Sequence, residues 1–411
     1  MFRKLKPQTK LFSKGYDPQL SEGSAIPPVF RTSTFIFKNS QEGKRAFEIA
    51  YGLKTANKGE VPALIYTRVN NPNCQMVEDK ITVWDDAEEA ALFSSGMGAI
   101  SSTCLSFLKP GDTLLFSDPV YGGTEFFFRK ILPEYKIKTV PFPAGSRPAV
   151  IERLVKDNPS TRIIFIESPA NPTIQLTDIE SASDIARRNS RENHRIRVIV
   201  DNTFMGPIFC SPLKFGADLI VYSATKFIGG HSDLVAGITL GSKEDIGSVK
   251  VTRTIFGSNS DPDTAWLILR SLGTLDLRMK KQAKNAKKIV EFLQKHPRVK
   301  KVAYPGIDQM GDYQLQLYEK QCKGSGSLIS FYIEGGEKEA FRVMDATREF
   351  LLAVSLGGIE SLIEHPHAMT HADMTEEEKR TAGITPNLIR LSVGLQDAED
   401  LIHDLKNALD I

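Results

Sequence analysis

The stretch DLIVYSATKFIGGHSD, residues 218–233, joins an apolar run to a turn that is rich in hydroxyl groups. The run has the pattern of a buried strand, and Lys226 follows shortly after it. Lysine side chains are rarely buried without a partner. Lys226 therefore either marks a solvated strand end or is a reactive amine at the rim of a sheet, and the surrounding chain decides between the two.

Apolar runs rich in β-branched residues recur between residues 90 and 223. Near-continuous runs of this kind are typical of parallel strands that are covered on both faces. The predicted strands are 90–95, 112–118, 136–142, 162–168, 196–202 and 217–223. Predicted helices are 96–108, 123–132 and the segment TDIESASDIARRNSREN, which has the length of a crossover. The alternation predicts an α/β fold with a large, doubly wound, mostly parallel sheet.

The composition changes twice along the chain and predicts three parts. Residues 1–65 are rich in Pro, Gly, Lys and Thr, and they look like an extended arm with one helix at 40–52. Residues 66–264 hold the α/β pattern. Residues 265–411 combine a long helical pattern, or two helices, with the strand-like segments SLISFYI, FLLAVSL and NLIRLSV, which predicts a smaller α+β domain.

Charge and cysteine content exclude several classes of protein. A net charge of +2 gives no reason to propose a nucleic-acid or membrane partner, and the basic stretch 278–288 is interpreted as the solvated face of a helix. The 4 cysteines form no C-x-x-C pair, which favours free thiols in a reducing compartment. Without an apolar signal segment or a spanning run, we expect a cytoplasmic protein.

Four features suited to one ligand follow the predicted strands, at the sheet edge where doubly wound folds bind ligands. Gly96 and Met97 begin a helix, whose free N–H groups bind phosphate well. Asp201 ends a buried strand, where a carboxylate is costly without a cationic partner. Tyr121 places a large ring at the same edge. Taken singly, these residues fit a tight turn, an N-cap and core packing equally well.

The fourth feature is the pair of hydroxyls of Ser223 and Thr225 beside Lys226, which makes the combination more specific. Together these groups suit a pyridine that carries a phosphate, an aldehyde and a protonatable nitrogen. Lys226 would form a Schiff base with the aldehyde, Asp201 would pair with the ring nitrogen and Tyr121 would stack on the ring. The pattern therefore predicts a pyridoxal 5′-phosphate site.

The motifs SATKFIGGHSDLVAG, VIVDNTF, SSGMGAI and YTRVNNPN resemble those of the trans-sulfuration (Cys/Met metabolism) enzymes that depend on pyridoxal phosphate. The resemblance runs from about residue 24 to the end of the chain. It implies pyridoxal-phosphate fold type I, which is aspartate-aminotransferase-like, and a small-molecule amino-acid substrate. It also implies a homotetramer, a dimer of dimers, in which the arm carries Tyr66 and Arg68 to the phosphate in the adjacent subunit.

The resemblance assigns further residues to the substrate and cofactor. Asn171 in ESPANPT would lie near the cofactor and the substrate carboxylate, and Thr203 in DNTF would contact the cofactor ring. Arg390 would bind the α-carboxylate of the substrate. Ser355 would lie beside that carboxylate and beside Lys226. No metal site is expected, because His231 is interpreted as a structural hydrogen-bonding residue and EHPHAMTH matches a family segment without a metal role.

The same resemblance implies chemistry at the γ-carbon. The amine of Lys226 would take the α-proton and move a proton from the β-carbon, after which a γ-substituent leaves. Tyr121 is a candidate to protonate the leaving group. Water then gives γ-elimination to a 2-oxo acid and ammonia, whereas a thiol gives γ-replacement.

Three positions bear on which reaction dominates. Val354, before Ser355, suits a thioether tail and favours γ-elimination of L-methionine, as in methionine γ-lyases. Gly123 stands where those enzymes usually have a cysteine, and on that point the chain is more similar to cystathionine γ-lyase or cystathionine γ-synthase. The main alternative to γ-elimination is γ-replacement by a cystathionine γ-synthase or O-acylhomoserine sulfhydrylase. Segment 47–68 is longer than the family segment we expect, and it would lie over the substrate entrance. Cystathionine γ-lyase and a non-catalytic cofactor-binding paralogue remain as further alternatives.

Overall fold

The computed structural model describes residues 5–57 and 60–411. Parts of the predicted arm (1–65) and of the long segment (47–68) therefore lie outside the described residues. Within the described ranges, no helix combines the length and the apolarity that a membrane crossing requires.

A seven-stranded sheet lies at the centre of the larger part of the molecule, in the order β1-β7-β6-β5-β4-β2-β3. Its strands are β1 (Glu89–Phe93), β2 (Thr113–Asp118), β3 (Lys138–Pro143), β4 (Thr161–Glu167), β5 (Arg197–Asp201), β6 (Leu219–Ser223) and β7 (Gly237–Gly241). Strand β7 is antiparallel to both of its neighbours, and the other pairs are parallel. The predicted mostly parallel, doubly wound sheet is thus confirmed.

Helices cover both faces of this sheet. The helices of this part of the molecule are α1 (Pro7–Ser13), α2 (Ser40–Ala50), α3 (Pro72–Asp85), α4 (Gly96–Phe107), α5 (Gly122–Phe126), α6 (Leu132–Glu134), α7 (Pro148–Asp157), α8 (Ile179–Asn189), α9 (Gly206–Phe209), α10 (Lys243–Phe256) and α11 (Pro262–Leu272). The helix predicted at 123–132 contains a π-helical turn, Phe127–Ile131, between α5 and α6. Successive residues of β5, such as Val198 and Ile199, point to opposite faces of the sheet. They pack into two different apolar cores, because both faces are buried.

The C-terminal part contains a five-stranded sheet in the order β10-β11-β12-β9-β8. Its strands are β8 (Val299–Ala303), β9 (Leu328–Ile333), β10 (Leu351–Leu352), β11 (Leu362–Glu364) and β12 (Leu388–Ser392). Its helices are α12 (Leu275–Leu293), α13 (Asp312–Gln321), α14 (Glu337–Ala346), α15 (Glu376–Ala382) and α16 (Ala398–Leu409). The strand predicted from FLLAVSL is wrong beyond Leu352, because the backbone turns away from the sheet and Ser355 adopts a positive φ of 87°.

The interpretation of 278–288 as a solvated face holds for its lysines, which are exposed, but is wrong for Arg278. The Arg278 side chain is buried and donates hydrogen bonds to the carbonyl oxygens of Phe227 (2.8 Å) and Ser271 (3.0 Å). Carbonyl groups in a buried loop need donors from elsewhere. Arg278 therefore fixes the segment that follows Lys226.

A buried group of charges joins α3, β1 and α10. Glu78 Oε1 accepts hydrogen bonds from Arg253 Nη1 (2.6 Å) and from the backbone N–H of Leu92 (2.9 Å). Glu78 Oε2 lies 3.0 Å from Lys250 Nζ. Both Glu78 and Arg253 are buried, so each charge depends on the other for compensation.

We predict that Glu78→Ala lowers the free energy of unfolding by about 3–5 kcal/mol, because it leaves Arg253 buried without its partner. Glu399→Ala is the control, since it removes the exposed partner of Lys288 and is expected to cost no more than about 1 kcal/mol. Denaturant unfolding of the cofactor-loaded proteins measures both values. Equal losses in the two variants would contradict the structural role of the buried group.

Candidate active site

A cavity of about 300 Å³ opens at the carboxyl edge of the large sheet, where it faces the C-terminal domain. The residues from the sequence predictions that line it are Gly96, Met97, Tyr121, Asn171, Asp201, Thr203, Ser223, Thr225, Lys226, Val354, Ser355 and Arg390. The sequence did not point to the other lining residues, which are Ser95, Ile100, Glu167, Phe204, Val235, Leu356 and Thr370. The two halves of the chain thus meet at one site.

Lys226 projects into this cavity from the turn that follows β6. Its Nζ donates a hydrogen bond to Ser355 Oγ at 2.7 Å. Burial, reinforced by the nearby positive charge of Arg390, lowers the pKa of Lys226 to about 8. The choice left open by the sequence is therefore decided against a solvated strand end.

One end of the cavity is formed by the start of α4 and the end of β6. A Cβ atom on Gly96 would lie 3.0 Å from both the Cβ and the Oγ of Ser223, so a side chain there would crowd the serine. The helix start is capped by Ser95 Oγ, which accepts the N–H of Gly98 at 2.9 Å. Exposed backbone N–H groups and a serine hydroxyl are suitable ligands for a phosphate.

The hydroxyl of Thr225 has a different environment from that of Ser223. Thr225 Oγ1 donates to the carbonyl oxygen of Ala236 at 3.2 Å and accepts the Ala236 N–H at 3.0 Å. These contacts tie the turn before Lys226 to the segment that leads into β7. The assignment of Thr225 to the phosphate stays a prediction.

Asp201 ends β5 in the floor of the cavity and is 6% exposed. Its Oδ1 accepts hydrogen bonds from the Thr203 N–H (3.0 Å) and Oγ1 (2.6 Å). Thr203 Oγ1 in turn accepts the N–H of Ser223 at 2.9 Å. Burial raises the pKa of Asp201 despite these bonds. A buried carboxylate in this position is best compensated by a cation, as a protonated pyridine nitrogen would provide.

Arg390 lies on β12 at the opposite side of the cavity and is buried. Its Nη1 donates to Asn171 Oδ1 at 2.8 Å and forms an ion pair with Glu364 Oε1 at 2.8 Å, and its Nη2 donates to the carbonyl oxygen of Ser355 at 2.9 Å. Its Nε has no hydrogen-bond partner within the described residues. A fixed guanidinium with a free donor is well suited to a carboxylate.

Glu364 was missed at the level of sequence. It lies on β11 directly opposite Arg390 in the antiparallel register. Burial raises the pKa of Glu364, and Arg390 opposes that effect. The only available signal was a carboxylate inside an apolar run, and strand β11 was not itself predicted.

Glu167 was also missed, although it ends a predicted strand just as Asp201 does. It pairs with Asp201 in the parallel register of β4 and β5 and is 4% exposed. Its carboxylate accepts the backbone N–H groups of Tyr121 and Asn171, each at 2.8 Å. Burial, reinforced by Asp201, raises the pKa of Glu167 to about 8.

Tyr66 and Arg68 do not line this cavity. Tyr66 forms an isolated β-bridge with Thr34, and Arg68 Nη1 donates to the carbonyl oxygen of Thr254 at 2.8 Å. Their assignment to a neighbouring subunit's site stays a prediction. The ring of His231 contacts a backbone carbonyl, that of Gly229, at 2.7 Å.

The residues present fit pyridoxal phosphate at each of its polar groups. Gly96, Met97 and Ser223 would hold the phosphate, Lys226 would hold the aldehyde carbon, and Asp201 would pair with the ring nitrogen. The observation that supports this fit is the buried Asp201 carboxylate, whose Oδ2 accepts no hydrogen bond within the described residues.

The chain is similar to known proteins over almost its whole length. L-methionine gamma-lyase of Porphyromonas gingivalis is 39% identical over 390 residues, which is 94% of this chain and 93% of that protein. Cystathionine gamma-lyase of Mus musculus is 37% identical over 374 residues, or 90% of this chain and 92% of that protein. The crystal structure of metB from Corynebacterium glutamicum superposes with a TM-score of 0.88 at 31% identity, covering 99% of this chain and 98% of that one.

The family described as Cys/Met metabolism PLP-dependent enzyme matches residues 8–410, almost the whole chain. The match includes both sheets and every residue that lines the cavity. The chain therefore belongs to the Cys/Met metabolism PLP-dependent enzymes, and pyridoxal phosphate is its cofactor.

Proposed function

We propose that the chain catalyses γ-elimination of L-methionine or a close analogue, giving 2-oxobutyrate, ammonia and a thiol. The observation that carries the proposal is the position of Val354, which lines the cavity immediately beside Ser355. Other apolar side chains line the same cavity, among them Met97, Val235 and Leu356. An apolar wall suits an uncharged thioether tail, whereas a charged distal group would lose hydration there without compensation.

The polar residues of the cavity have distinct roles in this proposal. Pyridoxal phosphate, when bound, withdraws electrons from the substrate and makes the proton on its α-carbon acidic. Arg390 binds the α-carboxylate, and Asn171, already bonded to Arg390, orients it. Asp201 keeps a proton on the ring nitrogen. Tyr121, which is 46% exposed at the mouth of the cavity, donates a proton to the departing sulfur.

Lys226 transfers the protons on the substrate's α- and β-carbons, which requires a neutral amine. At pH 7.5 a lysine with an ordinary pKa near 10.4 is neutral in about one molecule per thousand. A pKa of about 8 leaves roughly a quarter of the molecules neutral at that pH. Burial thus prepares Lys226 for base catalysis.

A second candidate, γ-replacement on an O-acylated homoserine, is favoured by Gly123. A Cβ atom at this position would lie 2.7 Å from Tyr121 Cε1 and 3.2 Å from Met97 Sδ. Glycine therefore lets the tyrosine ring lie against the backbone. That position leaves the mouth of the cavity open, as the exposed Tyr121 and Val354 side chains indicate, and an open mouth would admit a thiol.

The proposal includes a homotetramer in which Tyr66 and Arg68 complete the site of an adjacent subunit. Support comes from their position outside the cavity of their own chain and from the exposure of the Tyr66 ring, which is 42%. An arginine supplied in this way would match the phosphate with two donors and a permanent charge. Domain boundaries at 65 and 264 are proposed from the changes in composition along the chain.

Product analysis of the cofactor-loaded protein tests the function. With L-methionine alone we expect 2-oxobutyrate and methanethiol in equal amounts. O-acetyl- or O-succinyl-homoserine with L-cysteine forms the comparison. Formation of cystathionine from that mixture, with no turnover of L-methionine, would overturn the proposal in favour of γ-replacement.

We predict that Val354→Glu lowers kcat/KM for L-methionine by about tenfold or more, because a charged group replaces the apolar contact with the thioether tail. Val354→Ala is the control, since it keeps the wall apolar and should retain most of the activity. The side chain is 53% exposed, so neither change should disturb folding. Equal effects of Glu and Ala would show that Val354 does not select the tail.

We predict that acylation of Lys226 by an amine-selective ester follows a pH profile with its midpoint near 8 in the cofactor-free protein. The neutral amine is the reactive form, so labelling should be half-maximal near pH 8 and should level off at higher pH. Peptide mapping measures the extent of labelling, with N-acetyl-lysine amide as the reference compound. A Lys226 profile that parallels the reference would contradict the lowered pKa.

A further inference from the structure

Glu167 is the buried group of the cavity to which neither the motifs nor the proposed reaction gives a role. It ends β4, between the loop that carries Tyr121 and the loop that carries Asn171. One carboxylate oxygen, Oε2, accepts the N–H of Tyr121, and the other, Oε1, accepts the N–H of Asn171, both at 2.8 Å. A single side chain thus fixes the backbone of both residues.

The position of Glu167 is itself fixed. Its backbone N–H donates to Ser117 Oγ at 2.9 Å, and its register places it beside Asp201. Two neighbouring buried carboxylates repel each other when both are charged, so a purely structural acceptor would be placed more favourably elsewhere. The neighbouring carboxylates disfavour folding, but Glu167 in this position fixes the backbone of both loops.

We propose that Glu167 is a positioning residue that sets both the ring of Tyr121 over the cofactor and the amide of Asn171 toward the substrate. Its main effect comes from the hydrogen bonds that it accepts from these two residues, and the effect of its charge on the site is secondary. The inference rests on the roles of Tyr121 and Asn171 in the proposed function. It adds a coupling, because a change at Glu167 must disturb cofactor and substrate contacts together.

Two variants distinguish the length of the Glu167 side chain from the chemistry of its carboxyl group. Glu167→Gln keeps the length but replaces one acceptor oxygen with an NH₂ group, which faces a backbone N–H and cannot accept from it. Glu167→Asp keeps the carboxyl group but is one methylene shorter, so it cannot reach both loops. Asp218→Asn is the matched control, because Asp218 also accepts a backbone N–H, that of Val198 at 2.8 Å, at the opposite edge of the same sheet.

We expect both Glu167 variants to lower kcat/KM for the substrate by about 10- to 100-fold, the effect of leaving a buried backbone N–H without its acceptor. KM should rise and kcat should fall, since one loop serves the substrate and the other the cofactor. The visible circular dichroism band of the bound cofactor should change as well, because it reports the orientation of the ring. Asp218→Asn should lower Tm and leave this band and the kinetics unchanged.

Parent-like kinetics and dichroism in Glu167→Asp would overturn the proposal, since a carboxyl group would then maintain the site without reaching both loops. A lower Tm in both Glu167 variants, with an unchanged band, would reduce Glu167 to a structural role and overturn it too. The dichroism and the dissociation constant of the cofactor need no substrate. They test Glu167 even if the parent protein turns over none of the amino acids tested, a result that would overturn the proposed function alone.

Discussion

Burial of the Asp201 carboxylate at the end of β5 is the constraint around which the site is organised. Asp201 lies in the middle of a sheet covered on both faces, and two hydrogen bonds from Thr203 do not prevent its pKa from rising. A carboxylate is stable there only when a cation approaches from the open side of the cavity. Pyridoxal phosphate, the cofactor of this family, carries such a cation when its ring nitrogen is protonated.

Further cationic and acidic side chains lie in the cavity or directly behind it. Lys226 and Arg390 are the cations, and Glu167 and Glu364 are further carboxylates. Arg390 lowers the pKa of Lys226, whereas Glu364 raises it, so the carboxylate behind the arginine limits how far the amine shifts. In the proposed function, a substrate carboxylate bound at Arg390 would act on Lys226 in the same direction as Glu364 and would raise the pKa of the amine.

Asp201 and Lys226 could be predicted because they follow strands with clear apolar patterns. The family resemblance alone pointed to Asn171, Thr203, Ser355 and Arg390. Strand β7 escaped it because glycines stand at both of its ends, and a Cβ on Gly237 would clash with the carbonyl oxygen of Ser95. Arg278 was misinterpreted because periodicity cannot reveal which member of a basic run meets buried carbonyls. Glu167 and Glu364 were missed because their neighbours across the sheet, Asp201 and Arg390, are known only from the strand register.

The amine that holds the cofactor can be identified by chemical trapping. Borohydride reduction of the cofactor-loaded protein, followed by proteolysis and mass spectrometry, fixes the cofactor to the lysine that carries it. The structure predicts the added mass on the peptide that contains Lys226, which projects into the cavity with its Nζ 2.7 Å from Ser355 Oγ. Modification of a different lysine, or of none, would contradict the assignment of Lys226 as the residue that binds pyridoxal phosphate.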